Sequence, residues 1–352
     1  MSSSTILPNV EGVDTAAFST KKRRLLITAE GFEDRSLSFL SVDSTLSFQK
    51  IIICKYAPPK KSRVDDLYRL AMKRCQDNEI YEETYNRFDP FNFEIIMQNH
   101  MSTVHLFDEI VIDISVMSKY MIMQILGLMV NYENNVRIIY TEPVSYAPLE
   151  SSCSVAEQDY ATQLPSYGVQ NIVRTPLLSS IIMQRSPTLL IAFLSFNEQL
   201  IRALLTEYNP ARLFLVNGKP SHLVWRKKSM NDIHKSIIKE YHMDNPVDEN
   251  NLLVRESSTL NYIETIVLLA EIYRDYGEDY RIVFAPTGSK MQALSCALVK
   301  NCCADIHIEY PTPESYYIDG YSSSEIREIH QVYFRSFKET LSQMASGFGL
   351  HG

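Results

Sequence analysis

RIVFAPTGSKMQALSCALVKN, residues 281–301, passes from a β-branched and aromatic run through a short polar turn into an apolar helical pattern. A strand that stops at Pro-Thr-Gly-Ser-Lys and resumes as a helix reads as the corner of a parallel, doubly wound sheet. Thr287, Gly288, Ser289 and Lys290 sit at that corner. Helix N-termini there present unpaired N–H groups and a partial positive charge. Gly288 allows close backbone approach, and the hydroxyls and Lys290 add donors, so a phosphate or nucleotide edge is the natural guest. The alternative reading is a plain turn with a hydroxyl cap. The GxxxxGK[ST] frame of a Walker loop is absent.

Outward from this corner the same rhythm recurs. RRLLITA, QKIIICKY, EIIMQ, EIVIDI and VRIIYT are strand-like, and after a polar stretch TLLIAF, ARLFLV, NLLVRE, RIVFAP and DIHIEY follow. The runs are continuous rather than alternating, as in strands buried on both faces. LLITAEGFEDRSLSFL can be laid over LLIAFLSFNEQLIRALL, Ser118 and Lys119 over Ser289 and Lys290, and VRIIYTEPVSYAP over IHIEYPTPESYYID. Three segments in one order point to internal duplication, beyond the rhythm any two doubly wound domains share. The expected fold is α/β, with two tandem Rossmann-like doubly wound parallel sheets related by duplication. The expected boundaries are a disordered lead-in at 1–21, halves at 22–146 and 187–319, a linker at 147–186, and a C-terminal helix and tail at 320–352. That helix is expected to present Ile326, Ile329, Val332, Tyr333 and Phe337 on one face.

Other strand ends supply further candidates. AEGFEDRS places Gly31, Glu33 and Arg35 after the first strand, where Arg35 is a fork for phosphate or carboxylate, and where the acids are equally favoured by the helix dipole. AFLSFNEQ offers Ser195 and Asn197 for neutral hydrogen bonds, and DISVMSK offers Ser118 and Lys119 without a glycine. The Tyr-rich loops TEPVSY and PTPESYY either stack a base or anchor as ordinary loops.

Against 34 basic residues stand 42 acidic ones, a formal net charge of -8, which gives no field for a broad nucleic-acid surface. Six cysteines show no paired spacing and read as reduced, packed thiols in a cytoplasmic protein. No run approaches a membrane span. KKRR at 21–24 reads as a solvated edge, and His234 and His242 as solvated rather than ligating. With no GxSxG, HExxH or GxGxxG, no cofactor and no metal are expected.

The strand followed by Thr287, Gly288, Ser289, Lys290 and Met291 resembles the loop of the CRISPR-associated Rossmann-fold (CARF) sensors, a Gly-Gly-Thr-Lys-x-Met type of element after the fourth strand. The turn at Gly31 lies where those domains make their other ligand loop. The resemblance covers the rhythm of most of the chain and about ten residues of motif. One glycine replaces two, the first-half loop has none, and no Arg-x4–6-His ribonuclease signature is present. The resemblance implies a sensor of oligoadenylate-type messengers, a nucleotide or other phosphate-bearing partner, and an effector protein. The second class left open is an enzyme on a nucleotide or sugar phosphate, with Lys290 and Arg35 clamping phosphate and Glu33, Asp34 or Asp113 as base.

Overall fold

The computed structural model describes residues 6–18, 21–58, 62–153, 166–244, 253–316 and 325–350. The strands in chain order are β1 Glu11–Gly12, β2 Arg24–Ala29, β3 Phe48–Ala57, β4 Cys75–Asn86, β5 Glu109–Asp113 and β6 Asn135–Pro143. Then come β7 Ser166–Tyr167, β8 Asn171–Val173, β9 Thr188–Phe193, β10 Arg212–Lys219 and β11 Val254–Ser258. The last are β12 Arg281–Ala285, β13 His307–Ile308, β14 Tyr310–Thr312, β15 Ser315–Tyr316 and β16 Ile326–Phe334. The chain divides into two compact units, residues 1–146 with 322–347, and residues 147–321 with 348–352.

Unit 1 is a seven-stranded sheet in the order β1-β16-β6-β5-β2-β3-β4, in which β2 to β6 are parallel. Unit 2 holds a five-stranded parallel sheet in the order β11-β10-β9-β12-β13. Numbered along the chain within each unit, both parallel sets run 3-2-1-4-5. The fold is Rossmann-like α/β. The order reverses between β2 and β5 in unit 1 and between β9 and β12 in unit 2, and a doubly wound sheet opens a crevice at such a point.

The central strands explain themselves: Leu25, Leu26 and Ile27 of β2 and Leu189, Leu190 and Ile191 of β9 are fully buried, as strands covered on both faces must be. The unit 1 sheet packs Phe39, Phe48, Ile51, Ile53, Val111 and Ile139 into one core with Phe18. Phe18 belongs to a short 3₁₀ turn, Thr15–Phe18, so residues 6–18 of the expected lead-in carry structure. Arg24 anchors it, donating to the carbonyls of Phe18 and Ala17, each at 3.0 Å, while its Nε meets Glu109 at 3.2 Å. The Arg24 side chain is therefore buried and paired, not part of a solvated basic edge.

Two expected elements differ. EIIMQ lies in a helix, Phe91–Met101, which buries Phe93 and Met97 one turn apart. The third strand is instead β4, an edge strand of mostly exposed polar residues that carries no apolar run to announce it. The C-terminal helix over IREIHQVYF is also overturned: those residues are β16, inserted antiparallel between β1 and β6, and the helix begins only at Phe337. His330, Gln331, Val332 and Phe334 are all buried, so the pattern reads as neither a one-faced strand nor a helix stripe. Within the expected linker, β7 and β8 pair antiparallel with β15 and β14. Tyr317 and the start of the expected C-terminal helix lie outside the described residues. No helix among the described residues is long and apolar enough to cross a membrane.

Candidate functional site

In unit 2 the loop after β12 is built by its own chemistry. Ser289 is the N-cap of the helix Lys290–Cys302: its Oγ accepts from the Gln292 N–H at 3.1 Å, and its own N–H donates to Gln292 Oε1 at 2.8 Å. Ser-Lys-Met-Gln is thus a reciprocal capping box. The Gln292 amide continues to Ser257 Oγ at 3.0 Å. The Thr287 hydroxyl donates to the Phe193 carbonyl at the end of β9. A Cβ on Gly288 would stand 2.2 Å from Gln292 Oε1 and 2.9 Å from the Phe193 Cβ, so the glycine serves internal packing. Lys290, at the first helical position, is half-buried and engaged within the protein.

On the neighbouring strand end, Asn197 caps the helix Glu198–Tyr208, accepting from Gln199 N–H at 3.2 Å. Its amide donates to the Gly168 carbonyl at 3.2 Å and faces Ser166 Oγ at 3.4 Å, both beside β7. Ser195 donates to the Asn197 carbonyl at 3.3 Å. Beneath it, His234 donates from Nε2 to the Ser195 carbonyl at 2.9 Å. His234 is fully buried rather than solvated, its Nδ1 has no partner among the described residues, and burial lowers its pKa.

Unit 1 repeats the plan with different side chains. Ser118 caps the helix Lys119–Leu128, accepting from Met121 N–H at 3.2 Å. The Tyr56 hydroxyl accepts from Ser118 N–H at 2.7 Å and donates to the Val116 carbonyl at 3.0 Å, which pins the loop. A Cβ on Gly31 would come within 3.0 Å of Val116, so the loops after β2 and β5 touch. Glu30 is spent on Tyr56 N–H at 2.7 Å and Ser62 Oγ at 2.9 Å. Asp113 accepts from Ser115 N–H at 3.0 Å and from its hydroxyl.

Arg35 and Glu33 form a bidentate pair, Nε to Oε2 at 2.7 Å and Nη2 to Oε1 at 2.9 Å. Both side chains are buried, and burial opposes the Arg35 charge while Glu33 outweighs it, so the guanidinium pKa lies above its usual value. Arg35 Nη1 is enclosed with no hydrogen-bond partner among the described residues. The guanidinium lies 5.9 Å from the Tyr146 ring, whose hydroxyl meets that of Tyr140 at 2.5 Å. Lys119 is half-buried with no ion-pair or hydrogen-bond partner among the described residues, and burial lowers its ammonium pKa to about 8.

The strand ends therefore gather Gly31, Glu33, Arg35, Ser118 and Lys119 in unit 1, and Ser195, Asn197, Thr287, Gly288, Ser289 and Lys290 in unit 2. Three residues outside that set, Tyr56, Gln292 and His234, hold the loops. Only Gln292 carries a sequence signal, three residues after the cap. The Cys302 and Cys303 thiols are pushed up to about 12 by burial, with Asp305 adding to the effect at Cys303, so neither supplies a thiolate at neutral pH.

No protein-family model and no curated protein matches the chain. Among solved structures, it is similar to a functionally unknown protein from Pseudomonas aeruginosa PAO1 at 8% identity and a TM-score of 0.24, covering 95% of this chain and 99% of that one. It is similar to a Type III CRISPR defence DNA nuclease activated by cyclic oligoadenylate at 8% identity and a TM-score of 0.44, covering 86% and 68%. It is also similar to the cytoplasmic domain of a prokaryotic cation chloride cotransporter at 9% identity and a TM-score of 0.23, covering 85% and 99%. At these scores none of the three decides the chemistry.

Proposed function

We propose that the chain is a binding module for a phosphate-bearing nucleotide, a tandem CARF-like sensor built from a duplicated Rossmann-like unit. In this reading it works in a prokaryotic antiviral defence or stress system and passes its signal to a partner effector. One observation carries the reading: in both units a Ser N-cap followed by a lysine, Ser118–Lys119 and Ser289–Lys290, stands beside the point where a 3-2-1-4-5 sheet reverses its order. Doubly wound sheets collect anionic ligands there, because helix N–H groups and a cation converge on one spot.

Support for binding over catalysis comes from the carboxylates. Of the acids the enzyme reading names as a base, Glu33 is tied to Arg35, Asp113 to Ser115, and the exposed Asp34 to Arg63, so each already has a partner. The test is native mass spectrometry of the purified protein for a co-purifying small molecule, followed by incubation with that molecule. A retained, unaltered nucleotide is the expected result. Turnover of the nucleotide would replace the sensor by the enzyme, and a stripped protein that binds no nucleotide would remove both.

A further inference from the structure

We infer that the open edge of the unit 1 sheet is a docking surface for an extended basic segment of a partner protein, which adds to β4 as a further strand. The inference goes beyond the nucleotide reading and does not depend on it, because it concerns the sheet edge rather than the point where the strand order reverses.

β4 is the last strand of its sheet and pairs with β3 alone among the described residues. From Glu79 to Asn86 it stays in register with Lys50–Ala57, so eight successive residues form a regular ladder. In a parallel ladder every second residue turns its N–H and C=O away from the neighbour, and at an edge those groups are open to a further strand. Edge strands are commonly kept short. At twelve residues β4 is the longest strand described.

The elements on either side complete the surface. Ile80 packs into the core with Leu67 and Ala71 of the helix Val64–Arg74, while Tyr81 meets His100 of the helix Phe91–Met101 with ring centroids 5.1 Å apart. Successive side chains of a strand point to opposite faces, so the two helices flank the edge on opposite sides. Each helix leaves large apolar side chains exposed one turn apart, Tyr68 and Met72 on the first and Phe91 and Ile95 on the second, and Tyr81 on the strand is exposed as well. Charge alone suffices to keep an edge away from other edges. Exposed apolar residues gathered about it have the opposite effect and mark a contact surface.

Charge selects the occupant. β4 holds Asp77, Glu79, Glu82 and Glu83 and no basic residue, and Lys50 and Lys55 of β3 offset only part of that charge. Glu82 is met by Lys55 at 3.0 Å and Glu83 by His100 at 2.7 Å, whereas the exposed Asp77 and Glu79 form no ion pair among the described residues. A second copy of the chain pairing edge to edge would set these acids against one another, and like charges placed opposite destabilise a strand pair. A partner strand that carries lysine or arginine among apolar residues meets the acids and lays apolar side chains beside Tyr81, while its backbone completes the ladder.

The experiment uses the full chain and two short peptide probes, one alternating lysine with valine and one alternating glutamate with valine. Calorimetry reads the affinity and hydrogen exchange reads the bound surface. The lysine probe is expected to bind and to slow exchange at amides within Glu79–Asn86 by at least about tenfold, and the glutamate probe is expected not to bind. A fully N-methylated lysine probe keeps the charge and loses the strand donors, so it is expected to bind at least about tenfold more weakly. Asp77→Lys combined with Glu79→Lys, at exposed positions where urea unfolding is expected to stay unchanged, weakens the lysine probe to the same degree. Binding without protection in β4, equal binding by the N-methylated probe or by the variant, or no binding of the lysine probe would each overturn the inference. So would a chain that dimerises by itself in sedimentation with its β4 amides already protected, which would make a second copy the occupant. None of these outcomes touches the nucleotide reading, which the co-purifying molecule decides.

Discussion

Arg35 and Glu33 are enclosed together, and neither is tolerable without the other. Arg35→Ala removes the buried counter-charge of the Glu33 carboxylate, at a cost of about 3–5 kcal/mol in urea unfolding. The double replacement Arg35→Met, Glu33→Leu exchanges the pair for apolar volume and costs less than the single one. Equal losses would mean the pair is not the source of the effect. Lys119 carries the opposite expectation. Its folded pKa of about 8 lies below the unfolded lysine value of about 10.4, so the unfolded chain binds more protons between those limits. The penalty of its charge is fully present below pH 8 and disappears as pH rises towards 10.4. Lys119→Met therefore stabilises the ligand-free protein at pH 7 by about 1–2 kcal/mol, and the gain shrinks above pH 8. A constant gain across that range would contradict the assignment.

The helix Lys290–Cys302 shows how a motif can be legible and its purpose misplaced. Ser289→Ala removes one half of a capping box and lowers stability by about 1 kcal/mol in thermal unfolding, with ligand affinity unchanged. A variant that keeps its stability and loses ligand would restore the hydroxyl to the binding site. Ser-Lys-Met-Gln spells that box in the sequence, so the structural outcome was readable there. The idle state of Arg35 Nη1 and Lys119 was not, because it depends on what neighbouring strands bring beside them. The same limit explains the two element errors. β4 is an edge strand of mostly exposed polar residues in which only Cys75 and Tyr85 are buried, with no apolar period to detect. β16 buries His330, Gln331, Val332 and Phe334, and its place between β1 and β6 is a pairing set by residues far away in the chain. The buried parallel strands, by contrast, satisfy locally the burial that the fold imposes, and β2, β3, β5, β6, β9, β10 and β12 were all visible in the sequence.

Two sheets of one order account for most of the chain, yet unit 1 is completed only by its C-terminal strand. Ending the chain at residue 321 removes β16 from between β1 and β6. Hydrogen exchange on that truncated protein is expected to show unit 1 amides losing protection while the β9, β10 and β12 amides keep theirs. Retained protection in β6 would contradict the dependence. The strand order positions the crevices, the crevices position the lysines, and the function proposed here depends on an anion meeting one of them. The direct measurement is calorimetric titration of a nucleotide panel into the wild-type protein and Lys119→Met side by side. One nucleotide is expected to bind the wild type, and the variant to bind it at least about tenfold more weakly. A panel in which nothing binds, or in which both proteins bind equally, would contradict it.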